Sequence, residues 1–324
     1  MVNNWLNTNK LSGGGRDTSL DIVAGLLMLI VMMHHAGILK SYPCSVMHVF
    51  NFFMPWFFFK AGMFHKFGEK ISKELIIKYC KRYIVPLLFC SISSYLLFVI
   101  NHKFNVDYSF VGIIRDLYNA NAVIWFLISL VLVKLISLPL PYCKLSGLIV
   151  VAGLFVLSGY FVKNQFDSVP LVIKEVIAAT LYYSVGCYWG KLRYDKWNIL
   201  IILAIVYSAF IVLQPSKIDM RMQYVMFGEY GMAVVGNIIG IITINSLAYK
   251  VKNHVPSFIT YIGIESMSYY IFHIQIFIVI GYICSICAVG DSYIPYVKVL
   301  ATLILVPIIN LTLNKLKLKW LLGK

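Results

Sequence analysis

Charge is what this chain has least of. Only 13% of its 324 residues are Asp, Glu, Lys or Arg, about half the share of an average soluble domain. Acidic residues are scarcest, 13 against 28 basic, which leaves a formal net charge of +15. So few charges cannot solvate a globular surface when 60% of the residues are hydrophobic and mean hydropathy is +0.82. A soluble domain is excluded, and an all-α integral membrane protein is expected. Signature motifs are missing as well: there is no G-x-S-x-G elbow, no P-loop and no H-E-x-x-H, so no metal is expected. Cys284 and Cys287 form a C-x-x-C without the βαβ setting of a redox motif, and all seven cysteines read as small core residues. Any chemistry must come from isolated polar groups inside a helical bundle.

What is there instead is a succession of apolar runs, about ten of them long enough to span a bilayer. They lie near Leu20–Leu39, Cys44–Phe64, Tyr83–Ile100, Ala122–Leu140, Leu145–Val162, Leu171–Gly190, Trp197–Leu213, Val225–Ala248, Phe258–Cys287 and Tyr293–Leu313. The ninth opens on a polar stretch that fits a half-helix or a slanted entry. Residues 1–19 form a short leading segment, 20–313 the membrane domain and 314–324 a basic tail. The first run is long enough to stay as an anchor and no cleavable signal precedes it. With a cytoplasmic N-terminus, roughly 18 basic residues fall inside and about 8 outside, so both termini are expected in the cytoplasm. Localisation is then the cytoplasmic (inner) membrane, multi-pass. Topology and anionic headgroups account for the positive charge, and no nucleic-acid partner is called for.

Ionisable groups at membrane depth are costly and mark polar cavities or functional sites. The first run carries Asp21 near its start and His34 and His35 near its end. In a helix, Asp21 and His35 fall within roughly 40° of one face and about 21 Å apart, whereas His34 lies about 100° from His35. One face is therefore a candidate polar lining, the alternative being hydrogen bonds to a neighbouring helix.

Four further patterns share an order with one known family. They are Leu20-Asp21-x-x-x-Gly25 ahead of His35; Phe52-Phe53-Met54-Pro55-x-Phe57-Phe58-Phe59-x-x-Gly62; Lys78-x-x-Lys81-Arg82-Tyr83-Ile84-Val85-Pro86, followed later by Trp125-Phe126-Leu127; and Ile262-Gly263-x-x-Ser266-x-x-x-Tyr270-x-x-His273. Together they span most of the chain, which resembles the membrane-bound acyltransferase 3 family and, within it, the stand-alone fucose O-acetylase-like and capsule-modifying members. The resemblance implies transfer of an acyl group, commonly acetyl, from acetyl-CoA or another acyl-CoA to a hydroxyl of a cell-envelope glycan. It makes His35 the match to the family's opening-helix histidine, as general base or as acyl-accepting nucleophile, and His34 its neighbour.

The donor's phosphates need cations, which Lys78, Lys81 and Arg82 supply where the third run enters the membrane, the alternative being an ordinary positive-inside cluster. Asp21 reads either as catalytic support or as a helix cap. The family commonly carries Arg or Lys three residues after this Asp, where this chain has Ala24. Lys60 on the second run is the candidate replacement, pairing with Asp21 or the donor, unless it snorkels to the interface. Ser266, Tyr269 and His273 share a helix side and are candidate cavity residues, with Glu229 and Glu265 as further candidates. For His273, a hydrogen bond to a neighbouring helix is the competing role. The aromatic run from Phe52 to Phe59 reads as lipid-facing and packing residues, with Trp and Tyr at the interfaces. Acceptor specificity is expected in the loops around 104–121 and 214–223. The rival functions are a transporter or flippase and a non-catalytic scaffold.

Overall fold

The computed structural model describes residues 17–41, 49–65, 72–101, 124–138, 147–164, 169–190, 196–213, 220–222 and 226–323. Its helices in chain order are α1 (Thr18–Ala36), α2 (Phe53–Met63), α3 (Lys73–Tyr79, a π turn at Cys80–Ile84, then Val85–Asn101), α4 (Ile124–Ser137) and α5 (Gly147–Asn164). They continue with α6 (Leu171–Trp189), α7 (Trp197–Leu213), α8 (Tyr230–Val251), α9 (Ser257–Ile264), α10 (Ser266–Ile286) and α11 (Ile294–Lys315), closed by a single turn at Lys319–Leu322. Among the described residues seven helices are long and apolar enough to cross a membrane, the pattern of a multi-pass membrane protein. Trp125–Ser137 and Trp197–Leu213 are apolar but shorter, and α2 has 11 residues.

The helices depart from the expected segments at the starts of the third and the eighth, while the ninth opens on the short helix that its polar start allowed for. The third begins at Lys73, ten residues before Tyr83, because Ser72 caps it by accepting from the Leu75 backbone N–H at 3.3 Å. Lys78, Lys81 and Arg82 therefore lie within a helix, not ahead of one. The eighth begins at Tyr230, not Val225, because Met226–Phe227 pairs antiparallel with Met220–Arg221, the one strand pair among the described residues. The ninth is two helices, α9 and α10, meeting at Glu265. Residues 1–16, the loop 104–121 and most of 214–223 lie outside the described residues.

Helix α1 sits in the middle, packed against α2, α8, α9, α10 and α11. Glycines in the sequence motifs set how close its neighbours come. A Cβ on Gly25 would stand 2.0 Å from the Ile259 carbonyl oxygen, and one on Gly263 would stand 1.7 Å from that of Asp21. α1 and α9 thus touch backbone to backbone. The same holds for α2 and α6, where a Cβ on Gly62 would stand 2.0 Å from the Tyr183 carbonyl oxygen and one on Gly186 would stand 2.1 Å from that of Phe59. Lipid tails offer no hydrophobic drive between helices, so close approach through small residues is what holds such a bundle together.

The aromatic run packs inward for the most part, with Phe53 and Phe57 half-buried. Phe52, Trp56, Phe58 and Phe59 are buried, and Trp56 is no interface residue: its indole N–H donates to Asn245 Oδ1 at 2.8 Å in the core. Cys90 and Cys284 are buried, but Cys287 is exposed at the end of α10, where the helix stops, so it is not a core residue.

Candidate functional site

The polar groups gather at two poles of the bundle. α2 runs antiparallel to α1, with Phe53 beside His34 (ring centroids 6.4 Å) and Lys60 beside Asp21. α9 runs antiparallel to α1, with Ile259 against Gly25 and Gly263 against Asp21, and the chain turns at Glu265 so that α10 runs back along α1 and brings His273 against His35. One pole carries His34, His35 and His273, the other Asp21 and Lys60, about 21 Å apart along α1 at 1.5 Å per residue.

At the first pole α1 ends at Gly37, whose φ of 88° only glycine adopts freely and whose N–H closes the helix onto the His34 and Met33 carbonyls. His35, on that last turn, is exposed, and His34 is half-buried. The His35 ring lies 5.5 Å from His34 and 5.3 Å from His273, centroid to centroid. His273 is fully buried. Its Nδ1 lies 2.9 Å from the Tyr270 carbonyl oxygen and 3.1 Å from that of Tyr269. Carbonyls only accept, so Nδ1 carries a proton and donates it, which in the neutral ring leaves Nε2 as an acceptor. Nε2 has no hydrogen-bond partner among the described residues. The bond that places His273 is thus to its own helix, not to a neighbour, and its reactive nitrogen is left over. An exposed imidazole against a buried one of fixed tautomer is an arrangement suited to moving a proton.

At the second pole Asp21 is buried and Lys60 Nζ stands 3.7 Å from its Oδ1 and 3.4 Å from the Leu20 carbonyl oxygen. The Lys60 ammonium also lies 5.2 Å from the centre of the Trp56 ring. The capping role expected as one option for Asp21 falls to Asp17, which accepts from the Ser19 backbone N–H at 3.1 Å. Ala24 is fully buried, so packing leaves that position no room for a longer side chain, and Lys60 meets Asp21. Removing Lys60 leaves a buried carboxylate short of a cation. Lys60→Ala is expected to cost about 1–3 kcal/mol of stability, seen as a lower melting temperature in detergent, with Lys60→Arg close to wild type. A Lys60→Ala protein that melts like wild type would remove the pairing role.

The remaining candidates divide. Lys78, Lys81 and Arg82 are exposed on α3, on and beside its π turn. Pro86, four residues after Arg82, has no N–H to offer the Arg82 carbonyl, and the closing turn fills that space: a Cβ on Gly323 would stand 2.2 Å from that oxygen. Glu265 joins three helices, accepting from Ser268 Oγ at 3.2 Å and Asn310 Nδ2 at 3.0 Å. Tyr269 is buried within electrostatic range of Glu265 and Tyr261. Ser266 is half-buried at the start of α10, the N-terminal residue of the helix that Glu265 precedes. Of the set expected to share a cavity, only His273 meets the α1 histidines. Glu229 is exposed at the start of α8.

Two groups were missed. Glu175 on α6 is fully buried, with Ser129 Oγ donating to its Oε2 at 3.5 Å and its Oε1 without a hydrogen-bond partner among the described residues. Lys134 on α4 is buried among the rings of Tyr79, Tyr83 and Tyr183, at 5.7, 5.4 and 5.4 Å. Each was legible as a charged residue inside an apolar run.

Comparison with models of known families, with curated proteins and with solved structures gave no match to this chain.

Proposed function

We propose that this chain transfers an acyl group, most simply acetyl, from a coenzyme A thioester to a hydroxyl of a cell-envelope polysaccharide or its lipid-linked precursor. The observation that carries the reading is the exposed His35 imidazole held against the buried His273, at the opposite pole from the lysines. A neutral His35 takes the proton as the acceptor oxygen attacks the thioester carbonyl; the C–S bond breaks, and the imidazolium returns the proton to the departing thiolate. In the alternative route the acyl group first rests on His35 and then passes to the acceptor.

In this reading all ten apolar segments cross the membrane, and the Asp21 pole, with α3's basic turns and both termini, faces the cytoplasm, where acyl-CoA is met. Lys78, Lys81 and Arg82 hold the donor's phosphates and the His35 pole faces outward to the glycan. Arg82→Ala is expected to raise the apparent KM for acyl-CoA about tenfold, the loss of one charge-assisted contact, with kcat little changed. An unchanged KM at normal expression would count against phosphate binding there.

The test of the reaction is label transfer from radiolabelled acetyl-CoA to envelope glycan in membranes containing the protein. Label in the glycan that depends on the protein supports acyl transfer, and none with any acyl donor sinks it. Glu175 favours a second reading, a transporter or flippase for a glycan-related solute, because a buried carboxyl with an unused oxygen suits proton coupling. Solute movement without acyl transfer would be its signature.

A further inference from the structure

Beyond the groups above, the His35 pole holds a cavity of about 570 Å³ lined by Ile38, Asp291, Ser292, Tyr293, Pro295 and Tyr296. Its size is in the range of small-ligand sites, and with Asp291, Ser292, Tyr293 and Tyr296 exposed it is an open depression. One wall, Ile38, stands three residues beyond His35, just past the Gly37 cap. The other is the connection from α10 to α11, and it is shaped by its own hydrogen bonds. Val289 N–H donates to the Cys284 carbonyl at 2.9 Å and Ala288 N–H to that of Ser285 at 3.3 Å, with Ala288 at φ 54°, the left-handed residue that ends the helix. Tyr293 N–H then closes a turn onto the Gly290 carbonyl at 2.9 Å, and Pro295 sits in the first turn of α11. Asp291, Ser292 and Tyr293 are thereby presented between two helices.

The lining has a particular chemistry. Asp291 brings a carboxylate able to accept from two hydroxyls, and Ser292 a hydroxyl that both donates and accepts. Tyr293 and Tyr296 bring rings that are 69% and 50% exposed, each with an apolar face and a polar tip. Among the described residues no cation lines the cavity. Rings for the C–H face of a sugar, with a carboxylate and a hydroxyl for its rim, match a neutral polyhydroxylated ring.

We infer that this cavity holds the sugar unit of the acceptor glycan, placing its hydroxyls beside His35. The inference rests on the acyl-transfer reading for its purpose, but its binding can be measured without catalysis. The experiment is titration of the full-length protein in detergent with neutral oligosaccharides released from the envelope glycan. Tyr296→Ala and Asp291→Asn are expected each to weaken binding about tenfold or more, as loss of a central aromatic or a charged contact does. Tyr296→Phe, which keeps the ring, stays near wild type, as does Trp320→Ala at the other pole, and unchanged melting temperatures show that the variants fold. Binding that survives both Tyr296→Ala and Asp291→Asn overturns the assignment, as does a wild type that binds no oligosaccharide. A wild type that binds here yet transfers no acyl group leaves the cavity assigned and removes the acyl-transfer reading instead.

Discussion

His35→Ala is expected to lower acyl transfer by about 10²–10⁴-fold, the range supplied by a positioned general base, while leaving the yield of folded protein and its melting temperature close to wild type. The two halves of that expectation have separate origins. His35 is exposed on the last turn of α1, so its removal opens no buried cavity and strips no partner from a core polar group. What goes is the one imidazole of the His35–His273 pair that an incoming ligand can reach. His273→Ala is the contrasting variant. That ring is fully buried and in contact with Tyr270 and Phe277, at centroid distances of 6.0 and 5.7 Å, so its loss is expected to cost about 2–4 kcal/mol of stability as well as activity. Initial rates with saturating acetyl-CoA and glycan, set beside detergent melting curves, separate the two. If His35→Ala turns over at the wild-type rate, the catalytic assignment goes; if it fails to fold, the residue is structural.

The sequence carried the class and most of the helix positions, because apolar runs of bilayer length need no tertiary information to be read. It also carried the Asp21–Lys60 pairing, since a cation and an anion at matched depths on adjacent helices have few other places to go. The start of α3 was harder to read. Lys73, Glu74, Lys78, Lys81 and Arg82 break the hydropathy signal although the backbone is helical through them, and hydropathy cannot tell a charged helix turn from a loop. Ser266, Tyr269 and His273 lie on one helix, as their spacing implies, but at different depths. A shared helix face fixes direction but not depth, and Ser266 and Tyr269 lie on the turns beside Glu265, whereas His273 is a turn or more further along at His35. Glu175 and Lys134 were visible as charges in apolar runs, but their helices carry no motif to draw attention to them. The cavity beside Ile38 was not legible at all, because Ile38 and Tyr296 are brought together only by the fold.

The glycines of the motifs bear on folding, and alanine there is expected to be more damaging than alanine at any catalytic position. Gly263→Ala places a methyl group 1.7 Å from the Asp21 carbonyl oxygen, and Gly25→Ala places one 2.0 Å from that of Ile259. Both obstacles are backbone, so no rotamer change relieves them and α1 and α9 must part by more than 1 Å, since a normal contact needs about 3.5 Å. Overpacking that a core can absorb already costs about 1–3 kcal/mol; here the seam itself opens, and about 3 kcal/mol or more is expected from each substitution. The seam also sets the chemistry, because α9 leads through Glu265 directly into α10 and so fixes where His273 stands relative to His35. Gly153→Ala in α5 is the matched control. A Cβ there meets nothing within 4 Å, and alanine is the better helix former by about 0.5–1 kcal/mol, so this variant should melt at or above the wild-type temperature. Detergent melting curves and size-exclusion profiles of the three proteins decide the matter. If Gly263→Ala and Gly25→Ala melt like Gly153→Ala, the direct backbone contact between α1 and α9 is wrong. Should both instead aggregate or melt early, the glycines in the two outermost motifs are explained by the packing of helices and need no role at the reacting atoms.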